Sequence, residues 1–353
     1  MQGELVEVIR DSGDGFAFAE MKQANISLGT VPGARKYGQA SLRIPRPSNA
    51  RVKASYLSVG VMAGGDYAWG APVRLKIDGS TVAREYKPQF SVEVDEGFYY
   101  KAIYDITPLV SKKLLEKSEH KLGAFYEHLR PLRLSDACLL AVYESGKGSY
   151  SISYHTGAVS LQPGEVLKVN MRLPKRLEGT RKALVGVYLP SSRSYIKVVA
   201  GGSDPLVMSG PGFATASIEV PYRGLEVPVA VIYEKPETSV YPKTVVVTDV
   251  IVVESIYPKP DPRVIIESKH LKGEEASIEG TIVNNGDETA QDLRVYVTSL
   301  GIKIAENSIG DLEPGKSSKF VLKFNKKQAP HLAIRVEWTY LGLKNSRTVD
   351  LSS

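Results

Sequence analysis

Residues 276–287, Ala276-Ser-Ile-Glu-Gly-Thr-Ile-Val-Asn-Asn-Gly-Asp, alternate apolar with polar or small side chains and then stop at an Asn-Gly pair. Alternation at period two puts successive side chains on opposite faces of a strand, and Asn-Gly supplies the positive φ of a tight turn. Pro260-Asp-Pro-Arg-Val-Ile-Ile precedes this stretch. Asp292-Leu-Arg-Val-Tyr-Val, Ile302-Lys-Ile, Leu312-Glu-Pro-Gly and Ser318-Lys-Phe-Val-Leu-Lys-Phe follow it. Short strands broken by Gly and Pro-Gly turns predict a small antiparallel β-sandwich over 258–353. Such a module presents or spaces something and carries no evident chemistry of its own.

The same writing extends upstream. Ala50-Arg-Val-Lys-Ala-Ser-Tyr-Leu, Val73-Arg-Leu-Lys-Ile, Ser149-Tyr-Ser-Ile-Ser-Tyr and Val245-Val-Val-Thr-Asp-Val-Ile-Val-Val all read as strands, and Asp78-Gly79 reads as a hairpin turn. One helix interrupts them. Thr107 is its expected N-cap and Pro108 its first residue, with a stripe of Leu109, Val110, Leu114 and Leu115 over roughly ten residues. A weak repeat relates Leu42-Arg-Ile-Pro to Met171-Arg-Leu-Pro, and Cys138-Leu-Leu-Ala-Val-Tyr-Glu to Pro228-Val-Ala-Val-Ile-Tyr-Glu. Two tandem jelly-roll-like β-sandwich lobes, 1–162 and 163–257, account for it, although one large jelly roll gives a similar pattern. The seams are Gln162-Pro-Gly and the proline-rich Tyr257-Pro-Lys-Pro-Asp-Pro.

Composition narrows the class. At 353 residues the chain is long enough for two or three domains, and 42% hydrophobic with 24% charged residues fits folded protein. The net charge is +6, and 14 Lys and Arg face 13 Asp and Glu from Lys259 onward, so the excess lies upstream. It is spread along the chain, unlike the concentrated face of a nucleic-acid binder. A single cysteine excludes an internal disulfide framework and a multi-cysteine zinc site, and Cys138 in its apolar run reads as a small buried hydrophobe. No stretch approaches the ~18 apolar residues of a membrane helix. Met1-Gln-Gly-Glu-Leu-Val-Glu-Val is acidic and strand-like, with no signal-peptide pattern. An extracellular location would therefore require a trimmed signal and anchor; otherwise the cytoplasm is expected.

Two segments carry a resemblance. Tyr104-Asp-Ile-Thr-Pro-Leu-Val with Ala137-Cys-Leu-Leu-Ala-Val-Tyr-Glu resembles a β-rich domain of large archaeal surface proteins. Ile282-Val-Asn-Asn-Gly-Asp-Glu-Thr-Ala and Leu312-Glu-Pro-Gly-Lys-Ser resemble the CARDB module, a cell-adhesion-related Ig-like domain. The resemblances span about 40–257 and 260–340. They imply a β-rich domain with a helix start followed by an Ig-like sandwich. With the repeat and strand pattern above, the expectation is an all-β chain of two sandwich lobes and one short helix, followed by that Ig-like sandwich.

Candidate chemistry is sparse. The histidines His120, His128, His155, His270 and His331 lack metal-ligand spacing and read as surface or strand-end residues. Asp11-Ser-Gly-Asp-Gly reads as an Asx-type turn, with Asp11 and Asp14 as weak calcium candidates and no closing Glu. Trp69, Tyr86, Phe98, Tyr99 and Tyr100 could form an aromatic face for glycan or partner contact, since rings stack on sugars without catalytic groups. Glu85, Asp95 and Glu96 lie nearby, but adjacent acids on a strand face opposite ways. Arg172, Lys175, Arg176, Arg181 and Lys182 form the one local basic patch, and Asn25-Ile-Ser is the one glycosylation acceptor. Nucleophile-elbow and phosphate-loop patterns are absent.

These readings point to a non-enzymatic cell-surface structural or adhesion protein without cofactors. Its expected partners are envelope proteins, glycans or further copies of itself, with no nucleic acid and no inserted membrane segment. A carbohydrate-binding accessory module of a secreted hydrolase, or a virion or filament subunit, is the alternative expectation.

Overall fold

The structure is a computed structural model that describes all residues except 31, 33–34, 46–49, 68–69, 96, 113–116, 193, 235–242, 271–274, 326–330 and 352–353. The first strands are β1 (Gln2–Leu28), β2 (Tyr37–Arg43), β3 (Arg51–Ala63), β4 (Arg74–Ile77), β5 (Ser80–Ala83), β6 (Phe90–Val94) and β7 (Gly97–Asp105). Helix α1 (Thr107–Lys112) leads to β8 (Glu119–Phe125), β9 (Leu132–Leu161), β10 (Val166–Arg172), β11 (Thr180–Leu189) and β12 (Tyr195–Ala200). Then come β13 (Leu206–Ser209), β14 (Gly212–Glu219), β15 (Glu226–Tyr233), β16 (Val245–Ile256), β17 (Pro262–His270) and β18 (Glu275–Asn284). The last are β19 (Ala290–Ser299), β20 (Ile302–Leu312), β21 (Ser317–Asn325), β22 (Leu332–Tyr340) and β23 (Leu343–Asp350). The protein is all-β, with one short helix among the described residues, and it divides into two compact units: Met1–Ile44 with Asn49–Tyr257 form the first, and Pro258–Ser353 belong to the second.

The first unit is organised by β1 and β9, which pair antiparallel from Gln2↔Ser160 to Leu28↔Leu132. The register slips by four residues where Asp14↔Ser149 gives way to Gly15↔Glu144. Beyond this slip the two halves of β9 take different neighbours: β3 joins Leu132–Glu144, and β16 joins Ser149–Leu161. The halves then pack on each other, because Cys138, Leu140 and Val142 share one cluster with Tyr150, Ile152 and Tyr154. Each half also carries an outer sheet. The order β10-β15-β12-β13 covers the second half over a core of Leu167, Val198, Val229, Val247 and Val252. The order β2-β8-β4-β5 completes the first lobe and buries Leu42, Leu75, Ile77 and Leu122.

Inner strands are thus covered on both faces. That is why Ala137–Tyr143 reads as an unbroken apolar run, why Val245–Val252 is apolar but for Thr248 and Asp249, and why both are buried throughout. The lobes exchange strands, since the start of β1 belongs with the second lobe. A cut at 162 falls at the turn between β9 and β10, inside that lobe.

Local expectations resolve in three ways. Asp78 and Gly79 take φ of +48° and +82°, as the β4–β5 hairpin requires. The helix starts at Thr107, but its cap differs: Asp105 Oδ1 accepts the Thr107 N–H at 2.9 Å, while the Thr107 hydroxyl accepts the Ser55 N–H at 2.8 Å. Leu114 and Leu115 lie outside the described residues.

The second unit packs β17-β18-β21 against β20-β19-β22-β23 around Ile278, Leu293, Val295, Phe320, Ile334 and Val336. Asn285-Gly286 is a crossover between these sheets, and the hairpin expected there is corrected. Buried Asn284 accepts the N–H groups of Asp261 and Gly286 and donates to the carbonyls of Glu288 and Leu312. A Cβ at Gly286 would lie 2.2 Å from the Lys259 carbonyl oxygen, so the close approach of the proline-rich lead-in requires glycine there.

Candidate functional site

Where the two inner layers meet, a charged cluster replaces apolar packing. Lys101 on β7, Gly60 on β3 and Asp136 on β9 stand in one cross-strand row. With no side chain at Gly60, Lys101 reaches across β3, and its Nζ lies 2.5 Å from Asp136 Oδ2. The same Nζ lies 2.7 Å from Oδ2 of Asp249, which β16 brings in from the opposing layer. All three charged side chains are 0% exposed. A register shift at Val247/Asp249 sets the aim of Asp249.

Hydroxyls complete the cluster. Asp249 Oδ1 accepts from Ser58 at 2.9 Å, Tyr154 at 2.8 Å and Thr156 at 2.7 Å, and its Oδ2 accepts from Thr248 at 2.8 Å. Asp136 Oδ1 accepts from Tyr99 at 2.6 Å. A buried charge is tolerable only when paired and hydrogen-bonded, and each of these is. Burial pushes the Asp249 carboxyl up, but the Lys101 charge and the bonds from Lys101, Thr156 and Thr248 outweigh it and hold it below the usual range. Burial pulls Lys101 down, yet the two aspartates leave it above the ordinary lysine range. Desolvation pushes the Tyr99, Tyr154 and Cys138 groups well up. Cys138 is therefore a buried neutral thiol, as its apolar run suggested. Lys101 occupies the position a cation would take between the aspartates.

The sequence-predicted aromatic face does not form. Tyr86, Tyr99 and Tyr100 are buried, with hydroxyls on the Val59 carbonyl, Asp136 and the Gly65 carbonyl: Tyr99 and Tyr100 stand on β7, within the inner layer, and Tyr86 is bridged to Ala71. Phe98 alone is half-buried, stacked on Tyr100 at 5.8 Å, and Trp69 lies outside the described residues. Asp95 is held by Thr244, whose N–H it accepts at 2.7 Å. Glu96 is likewise outside the described residues.

Other candidates also shift. Arg172, Lys175, Arg176 and Lys182 are exposed, but Arg181 leaves the basic patch: it is buried 2.7 Å from Glu254 and donates to the carbonyls of Tyr222 and Gly224. Asp11 and Asp14 sit within β1 rather than in a turn. Asp11 is committed to Lys53 at 2.7 Å and to the Tyr150 hydroxyl at 2.6 Å. Asn25 is exposed at a strand irregularity with φ +48°. His120, expected at the surface, is fully buried, with Nδ1 2.7 Å from Asp78 and Nε2 2.8 Å from the Lys117 carbonyl.

Lys101, Asp136 and Asp249 escape the sequence reading. The signal was there: each is a lone charge inside or beside an apolar run, the pattern of a buried paired group.

Open cavities lie among the described residues of this unit. One, of about 360 Å³, is lined by Ser27, Met62, Gly64, Leu132, Arg133 and Tyr188. Another, of about 460 Å³, is lined by Thr180, Arg181, Ser203, Asp204, Glu219 and Arg223.

No family model and no curated protein matches the chain. Among solved structures it is similar to PNGase F, a glycosylasparaginase from Flavobacterium meningosepticum, at 10% identity over 68% of this chain and 96% of that one, with a TM-score of 0.28. It is also similar to the glycoside hydrolase domain of Endo-D from Streptococcus pneumoniae, at 13% identity, 60% and 34% coverage and a TM-score of 0.20. A third, the exo-chitosanase of Amycolatopsis orientalis, has 10% identity, 56% and 25% coverage and a TM-score of 0.21.

Proposed function

We propose that this protein is a non-enzymatic structural or adhesion component of the cell surface, presenting a rigid two-lobed body beside an Ig-like module. The observation that carries the reading is the fusion of the lobes through β1 and β9, strands of 27 and 30 residues shared by both and fixed where they meet by buried charges. Such a body holds its end loops and edge strands at fixed spacing, which suits lateral contact with envelope proteins or with further copies of itself. The charged cluster supports that role, because its groups hold one another inside the fold. Fractionation of the source cells with an antibody to the chain tests this. The protein is expected in the envelope fraction and to co-purify with envelope material; a strictly monomeric protein confined to the soluble fraction would remove the reading.

A second reading is favoured by the 360 Å³ cavity, whose lining includes Tyr188, Arg133 and Met62. A ring beside a bidentate donor suits a sugar ring and its hydroxyls or an acidic glycan. Titration calorimetry against neutral and acidic oligosaccharides tests it. Heat of binding that Arg133→Ala abolishes is expected, and a flat response to the whole set would exclude it.

A further inference from the structure

We propose that Lys101 and Asp136 condense to an intramolecular isopeptide bond, with Asp249 carrying the proton. The inference does not depend on where the protein resides or what it contacts.

The geometry contains the parts such a reaction needs. The amine nitrogen touches the carboxyl group it would attack, with Nζ 2.5 Å from Asp136 Oδ2. Tyr99 donates to the other oxygen, Oδ1, at 2.6 Å, where it would stabilise the oxyanion that forms when nitrogen adds to Cγ. Asp249 Oδ2, 2.7 Å from the same Nζ, is placed to accept a proton from the nitrogen and return it to the departing hydroxyl. Asp249 accepts from four hydroxyls besides Lys101, whereas Asp136 accepts from Tyr99 and Lys101, so Asp249 is the more firmly held of the two carboxyl groups and Asp136 the one freer to react.

The step balances without an outside reagent. Transfer of one proton from the Lys101 ammonium to Asp249 frees the amine. As Asp249 passes that proton to Oδ2 of Asp136, Nζ bonds to Cγ. Asp249 then carries a second amine proton to the same oxygen, and the Cγ–Oδ2 bond breaks as water leaves. The products are one amide and one water. In water, amide formation from acid and amine is unfavourable. Here the partners are held in contact and the three side chains are 0% exposed, which supplies proximity and withholds the solvent that would reverse the reaction. Gly60 keeps the space open, since a Cβ there would lie 2.1 Å from Asp136 Oδ1 and 2.2 Å from the Tyr99 hydroxyl.

The test is the intact mass of the purified, folded full chain, followed by peptide mapping. The expected mass is lower than the sequence mass by one water, and the map should hold a branched peptide joining Lys101 to Asp136. Asp249→Ala and Lys101→Arg should restore the full mass. Asp136→Asn should lose ammonia in place of water, a signature that a purely structural salt bridge cannot give. Because the wild-type mass decides by itself, a variant that fails to fold does not rescue the idea. A wild-type mass equal to the sequence mass overturns it, and so does a water loss that maps to any other pair, Lys101 with Asp249 included.

Discussion

At the residue scale, the outcome turns on a few small or polar side chains that composition does not single out. Gly60 has no special backbone angle, yet it is irreplaceable because Asp136 and Tyr99 fill the volume its side chain would need. Gly60→Ala is expected to cost at least about 1–3 kcal/mol through forced displacement of a buried hydrogen-bonded group. Gly146→Ala, where a Cβ would meet nothing within 4 Å, is expected to stay within about 0.5 kcal/mol. Denaturant melts of both variants compare them directly, and equal losses would refute the assignment. Asp78 offers a pH test. Burial raises its carboxyl, but the Lys121 N–H, His120 and Lys117 outweigh that, and it titrates below its ordinary value of 3.8. A depressed carboxyl contributes stability that is full above the unfolded value and is lost as pH falls through the folded one. Asp78→Asn keeps a residue suited to the φ of +48° and removes the charge. Wild type is therefore expected to exceed the variant in stability at neutral pH, with the gap closing as pH drops below 3.8. A gap independent of pH would refute this. None of this was legible in the sequence, because a glycine or a histidine announces neither what stands opposite it nor whether it is buried.

At the scale of elements, much was legible. Period-two alternation found the outer strands, the Asp78-Gly79 hairpin and the strands of the second unit, because each has one wet face. The inner strands gave a different signal. Ala137–Tyr143 is apolar on both faces, and Val245–Val252 is so but for Thr248 and Asp249, so their periodicity is blurred; the lengths of β1 and β9 were hidden by the polar, glycine-containing stretches at which their register slips. The expected turn at Asp11–Gly15 failed because glycines also serve where a long strand bends, and Gly15 takes φ +130° at the register slip. Hydrogen exchange tests the continuity of β9. Amides in Leu132–Glu144 and Ser149–Leu161 are expected to share one opening free energy equal to that of global unfolding. Distinct values for the two halves would mean that the lobes open independently.

At the scale of the molecule, the exchange of β1 between lobes and the buried cluster between layers make residues 1–257 one cooperative body. The second unit carries its own core of Ile278, Val295, Phe320 and Val336. A proline-rich seam at 257/258 was readable because proline leaves a composition mark, whereas a sheet shared by two lobes leaves none. The most direct measurement is scanning calorimetry of wild type against Lys101→Met. Lys101→Met removes the link that Lys101 makes between Asp136 and Asp249 and leaves both acidic groups buried without that partner, which is expected to cost at least about 3–5 kcal/mol. For a unit of this size that lowers the midpoint by roughly 10 °C. Wild type should show a single transition for residues 1–257, and the variant a transition displaced downward by that amount. Two separate wild-type transitions for this unit, or an unchanged midpoint in Lys101→Met, would contradict the account.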